Sequence, residues 1–241
     1  MLEEEARESI IVALDCGVDR ALELVEQLKD RARWLKVGMT LYYSEGPDIV
    51  RAFKRCGYHV FLDLKFHDIP FQVRGATRSA ALAGADLMSV HALGGSEMLA
   101  ACRAGAEDAA EELGERPRLV AITVLTSMDG AALAEVGVDR EPASEVSRLA
   151  RLAQGSGIDG VVCSPREAAD MRALLGPDAL VVTPGVRPAG AALRDQSRVA
   201  TPAAAIQAGA SHLVVGRPIT EAEDSLAAYE SIVQELMGTD R

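Results

Sequence analysis

Eight short apolar runs alternate with eight longer amphipathic segments along this chain, and no composition break interrupts them. The runs are residues 10–15, 34–38, 59–65, 86–91, 118–123, 160–163, 179–183 and 212–215. Between them lie helical candidates at 20–29, 47–56, 73–83, 96–113, 143–154, 165–174, 202–208 and 219–237. Strand–helix units repeated in this way build a parallel sheet with right-handed crossovers. Eight even units favour closure over an open doubly wound sheet. The expected fold is therefore α/β: a (β/α)₈ TIM barrel, one domain spanning residues 1–241, a length usual for that architecture. Aromatic residues are only 4% of the chain while 49% is hydrophobic, so the core must be built from Ala, Val, Leu and Ile.

The net charge of −11 argues against a nucleic-acid surface, which needs clustered Lys and Arg to meet phosphates. Any anionic ligand must be held by a few local cations against the overall field. Cys16, Cys56, Cys102 and Cys163 are scattered, with no Cys-x-x-Cys pair, and read as small hydrophobes in a reducing compartment. The first residues are acidic where a secretory leader would be basic, and no run reaches membrane-spanning length. These features lead us to expect a cytoplasmic protein with no membrane partner. Two connections, 126–142 and 184–201, exceed what a strand-to-helix loop needs, as lids and binding loops do.

The third run reads Asp63-Leu64-Lys65-Phe66-His67-Asp68-Ile69-Pro70. Side chains alternate across a strand, so Asp63 and Lys65 share a face that barrels normally fill with Val, Ile or Leu. A structural ion pair at the barrel mouth is the alternative reading of these two residues. Two neighbouring strands tilt the balance. Ile11, Ala13 and Asp15 share a face of the first, and Trp34, Lys36 and Gly38 share a face of the second. An ammonium among apolar neighbours is costly unless paired, so Lys36 requires an acid such as Asp63 nearby. A second cluster follows the last two strands. Val215-Gly216-Arg217 opens the last helix, and Thr183-Pro184-Gly185-Val186-Arg187 leaves the strand before it. Barrels bind phosphate between these loops at a helix N-terminus, where glycine admits the anion and arginine supplies forked donors.

Taken in order, these strings resemble the bacterial-type orotidine 5′-phosphate decarboxylase family. The resemblance rests on Ala13-Leu14-Asp15, Lys36-Val37-Gly38, Asp63–Pro70, Leu125-Thr126-Ser127 and Pro184–Arg187. It continues through Asp195-Gln196, Arg198–Pro202 and Val215-Gly216-Arg217. It implies a homodimer with shared sites that converts orotidine 5′-phosphate to uridine 5′-phosphate (UMP) and CO₂, the last step of de novo UMP synthesis, without cofactor or metal. Lys36, Asp63, Lys65 and Asp68 would form the catalytic charge network, with Lys65 the proton donor to C6 and Asp68 reaching the partner subunit. Asp15 and Lys36 would bind the ribose hydroxyls, with Thr126 and Ser127 along ribose and pyrimidine. Gln196 would bridge phosphate and base, and Pro184, Arg187, Gly216 and Arg217 would surround the phosphate.

Two departures from the family pattern stand out. Phe71-Gln72 replaces a common Asn-Thr, so Gln72 takes the place of a threonine that reaches the partner's ribose. Leu193-Arg194 precedes Asp195 where an acidic pair is common. The alternative within the same suprafamily is a Mg²⁺-dependent 3-keto-L-gulonate 6-phosphate decarboxylase or hexulose-phosphate synthase. Those enzymes resemble this chain on the third strand but carry a metal-binding carboxylate on the second, where Lys36 stands here. A non-catalytic nucleotide-binding barrel is the reading from a different class.

Overall fold

The structure, a computed structural model, describes residues 1–188 and 200–239. The chain enters through α1 (Glu3–Ser9), then runs β1 (Ile10–Ala13), α2 (Val18–Gln27), β2 (Trp34–Gly38), α3 (Met39–Glu45), α4 (Pro47–Arg55) and β3 (His59–Phe66). It continues through α5 (Pro70–Leu82), β4 (Leu87–His91), α6 (Gly95–Leu113), β5 (Arg118–Ile122), α7 (Gly130–Glu135), α8 (Pro142–Gly155) and β6 (Gly160–Val162). The last elements are α9 (Ala168–Leu175), β7 (Leu180–Pro184), α10 (Pro202–Gln207), β8 (His212–Val215), α11 (Arg217–Thr220) and α12 (Ser225–Met237). Each strand pairs in parallel with the next, and β8 returns to β1, closing a (β/α)₈ barrel.

Period-two alternation sorts the strand residues into two cores. Ile11, Ala13, Phe61, Leu87, Val120, Val182 and Val214 point inward and fill the barrel. Ile10, Val12, Leu35, Val37, Val60 and Leu62 point outward beneath the helices. At the N-terminal rim three polar side chains set the register. Asp86 accepts the Val60 N–H (2.7 Å), Asp159 the Leu119 N–H (2.8 Å) and Ser211 the Val181 N–H (2.9 Å). Each precedes an even-numbered strand and holds the odd-numbered strand before it, so three of the four odd–even strand pairs are stapled at this rim.

All eight expected strands form, with ends shifted by a residue or two. Three helices were not anticipated from periodicity: α1, α3 and α7. The first explains the acidic start of the chain. Glu3 and Glu230 both pair with the buried Arg7, tying α1 to α12, while Glu8 accepts the Trp34 indole N–H under the barrel floor. The helix expected over 219–237 is instead broken into α11 and α12. Asp224 causes the restart, its carboxylate accepting the Ala227 N–H at 2.8 Å as an N-cap.

Candidate active site

The C-terminal ends of β1, β2 and β3 carry charge where the lower barrel carries hydrocarbon. Lys36 is 6% exposed, at an inward position two residues above Trp34. Its Nζ lies 2.8 Å from Asp15 Oδ1 and 3.5 Å from Asp63 Oδ2, and Lys65 Nζ lies 2.8 Å from the same Asp63 oxygen. The order Asp15–Lys36–Asp63–Lys65 is a chain of alternating sign. Burial acts to raise the Asp63 carboxyl, but Lys36 and Lys65, with hydrogen bonds from Lys65 and Ser89, hold it below the usual carboxylate range. Gly38 makes room for this chain, since a Cβ there would sit 2.9 Å from Asp15 Oδ1 and 3.2 Å from Lys36 Nζ.

Simple alternation places Asp63 correctly but does not describe Lys65. Its backbone is left-handed, with φ 54°, and the β3–β4 register shifts between Leu62 and Phe66. That conformation costs a non-glycine residue about 1–2 kcal/mol. Here the Lys65 N–H donates to the Ser89 hydroxyl at 2.9 Å.

A cavity of about 650 Å³ opens above the charge chain, a size suited to a nucleotide-like ligand. Asp15, Lys36, Asp63 and Lys65 line it from the ends of β1–β3, Thr126 from beyond β5, and Pro184, Arg187, Gly216 and Arg217 from the ends of β7 and β8. Arg187 is buried, its Nη1 donating to the Val186 carbonyl at 3.1 Å. Arg20 also lines the cavity and was not anticipated from sequence. It reads there as a solvated charge on a helix, yet its guanidinium donates to the Thr220 carbonyl and to the Ser225 hydroxyl.

Several expected site residues lie elsewhere. Ser127 is exposed and does not line the cavity. The Met128 N–H bonds to the Leu125 carbonyl, so residues 126 and 127 sit at the corner of a β-turn that sends successive side chains apart. The helix that Arg217 opens is a single turn, Arg217–Thr220, rather than a long dipole. Asp68 and Gln72 line a separate hollow of about 430 Å³, whose wall also includes Tyr42, Tyr43 and Lys65. Asp68 is exposed, and its carboxylate accepts the Ile69 N–H at 2.7 Å. Gln196, with Leu193, Arg194 and Asp195, lies outside the described residues.

Comparison with known proteins decides the family. The profile of the Orotidine 5′-phosphate decarboxylase / HUMPS family matches residues 8–232. The chain belongs to that family. It is 52% identical over 232 residues to the orotidine 5′-phosphate decarboxylase of Alkalilimnicola ehrlichii, covering 96% of this chain and 97% of that one. It is 53% identical over 228 residues to the enzyme of the same name from Halorhodospira halophila, covering 94% and 95%. The crystal structure of orotidine 5′-phosphate decarboxylase from Lactobacillus acidophilus superposes with a TM-score of 0.85 at 39% identity, covering 95% of this chain and 99% of that one.

In this member of the orotidine 5′-phosphate decarboxylase / HUMPS family the cavity floor is a set of fixed charges of alternating sign. Among the described residues no three His, Cys, Asp or Glu side chains are placed to hold a metal ion. His91, two residues above Ser89 on β4, stacks on His67 with ring centres 5.3 Å apart. Burial, with the nearby His67 and Lys65, pushes its imidazole down to about 4. Sequence reading missed both Ser89 and His91; their one signal was shared parity with the inward Leu87.

Proposed function

We propose that this chain decarboxylates orotidine 5′-phosphate to uridine 5′-phosphate and carbon dioxide, completing pyrimidine-nucleotide synthesis in the cytoplasm. One observation carries the reading: the Asp15–Lys36–Asp63–Lys65 chain at the ends of β1–β3 and Arg187, Gly216 and Arg217 after β7 and β8 line the same cavity. Breaking the C6–carboxyl bond leaves its electron pair on a ring carbon that the pyrimidine cannot delocalise well. Fixed charge aimed at that carbon is the remaining means of lowering the barrier. The Lys65 ammonium stabilises the developing carbanion and passes a proton from Nζ to C6, and solvent then reprotonates the amine. Asp63, kept ionised by Lys36 and Lys65, holds that ammonium in place. Asp15 and Lys36 meet the ribose hydroxyls, Thr126 lies beside the ring, and Gln196 joins phosphate to base. The phosphate, remote from C6, offers Arg187, Arg217 and Gly216 the binding energy that orients the base. The reading uses no cofactor.

The partner is a second copy of the chain. Tyr43, Ile69 and Phe71 are 74%, 62% and 81% exposed and flank Asp68 and Gln72. Large apolar side chains grouped this way mark a surface meant to be covered. A two-fold contact there carries Asp68 of each subunit into its partner's cavity. Among the described residues no helix is long and apolar enough to cross a membrane.

Mixing purified protein with orotidine 5′-phosphate should produce the ultraviolet change of decarboxylation and retain it after exhaustive EDTA treatment. Loss restored by Mg²⁺ would move the chain to the metal-dependent sibling enzymes. For the shared site, Lys65→Ala and Asp68→Ala proteins are mixed under conditions of subunit exchange. A mixed dimer then has one site lacking both groups and one intact site, so activity returns. Continued silence despite proven exchange refutes the shared site.

A further inference from the structure

Lys65 occupies a backbone position that needs external support. Its φ of 54° belongs to the left-handed region, where a non-glycine residue persists only when its surroundings over-determine it. The β3–β4 ladder is interrupted between the pairings of Leu62 and Phe66, so no regular strand partner serves this residue. The support comes from a hydroxyl. Ser89, fully buried on the inward face of β4, accepts the Lys65 N–H at 2.9 Å and donates to Asp63 Oδ1 at 2.8 Å. Neither direction can reverse, because an amide only donates and an ionised carboxylate only accepts. One hydroxyl proton and one lone pair are thereby committed without ambiguity.

We infer that Ser89 is a positioning residue for the decarboxylation, locking the backbone of the proton-donating lysine to the carboxylate that holds its ammonium. The inference rests on the decarboxylase reading and extends it to a residue on a strand that supplies none of the four charges. Asp63 is then fixed on both sides. Its Oδ2 faces the ammonium groups of Lys36 on β2 and Lys65 on β3, while its Oδ1 faces Ser89 on β4. The remaining titratable neighbours are Asp15, joined through Lys36, and His91 above Ser89 on β4. Removing the hydroxyl leaves the buried Oδ1 without its donor and the Lys65 N–H without its acceptor. Asp63 should then titrate higher and Lys65 should sample other backbone states.

The test compares wild type, Ser89→Ala and Ser89→Cys, the last keeping the side-chain volume while weakening both hydrogen bonds. Three quantities are read: kcat and KM for orotidine 5′-phosphate, the ¹³C titration of the Asp63 carboxyl, and hydrogen exchange of the Lys65 amide. Ser89→Ala should lower kcat about tenfold to a hundredfold, as losing a buried hydrogen bond to a charged group does, with KM within about threefold. The Asp63 titration should move up in pH and the Lys65 amide should exchange faster, with Ser89→Cys between the two. An unchanged kcat beside an active wild type overturns the inference. So does a lower kcat that tracks the folded fraction while the Asp63 titration stays put. An inactive wild type would defeat the decarboxylase reading instead, and the titration and exchange arms would still judge Ser89. Should Ser89→Ala not fold, Ser89→Cys decides by the same measurements.

Discussion

Asp86 and Asp159 at the N-terminal rim of the barrel and Asp63 at its C-terminal end are carboxylates under the same stress, resolved differently. Burial acts to raise all three, and cationic or hydrogen-bonding neighbours hold all three below the usual range. The two rim carboxylates each accept a backbone N–H from the preceding strand besides their cations, Lys54 for Asp86 and Arg116 for Asp159. Among the described residues Asp63 accepts none; its partners are two ammonium groups and a hydroxyl, all on side chains. A carboxylate tied to the backbone is spent on register. One tied only to side chains leaves those cations poised toward the open cavity, where a reaction can use them.

The sharpest way to break that contrast is to remove one cation from the Asp63 set. Lys65→Ala should lower kcat/KM by about four orders of magnitude or more, because proton donation and carbanion stabilisation are lost together. The melting temperature should change little, since the Lys65 side chain is 28% exposed. A variant keeping a tenth of wild-type kcat/KM would show that the charge chain is structural.

The rim predicts the reverse pattern. Asp159→Ala strands the Arg116 guanidinium, bound at 2.9 and 2.6 Å, and the Leu119 N–H in a site where the carboxylate is only 11% exposed. Unfolding free energy should fall by about 2–4 kcal/mol, the usual cost of breaking such a pair at one side. The kcat/KM of the folded fraction should stay within about twofold of wild type. Activity lost without stability lost would erase the distinction between the two ends of the barrel.

This division of labour was only partly legible in the sequence. Asp15, Lys36, Asp63 and Lys65 stand out because charge at period-two positions conflicts with an apolar column, and the barrel itself follows from the repeat. Gly38 and Ser89 carry no such signal: a small residue inside a strand looks like packing until its neighbours are placed. Ser127 falls outside the cavity lining because adjacency to Thr126 does not survive a β-turn. The break before Ser225 was hidden because apolar spacing continues across it through Ile219, Leu226, Tyr229 and Val233. The proposed roles of the exposed Asp68 and Gln72 need a second subunit, which periodicity within one chain does not describe.

The buried histidines and Asp63 should also respond to acid in different windows. At the N-terminal rim, burial, with the nearby Arg118, pushes the His212 imidazole down to about 4, and the ring packs edge-on to Trp34 with centres 5.7 Å apart. Its unfolded value is 6.5. Between those values the unfolded chain binds a proton that the folded chain refuses, so stability falls as pH drops from about 6.5 to 4. His91 acts with the same sign, whereas His59, raised chiefly by its hydrogen bond to Asp86, acts with the opposite one. Asp63, lowered from 3.8, contributes stability that is full above that value and is lost only below it. Moderate acid therefore acts through His212 and His91 while Asp63 is still ionised. Urea unfolding at a series of pH values reads this directly. His212→Gln should reduce the slope of unfolding free energy between about pH 6 and 4.5 by up to about 1.4 kcal/mol per pH unit, one titrating group's worth. Wild type and His212→Gln with equal slopes would mean that His212 titrates in the folded protein as it does in the unfolded chain.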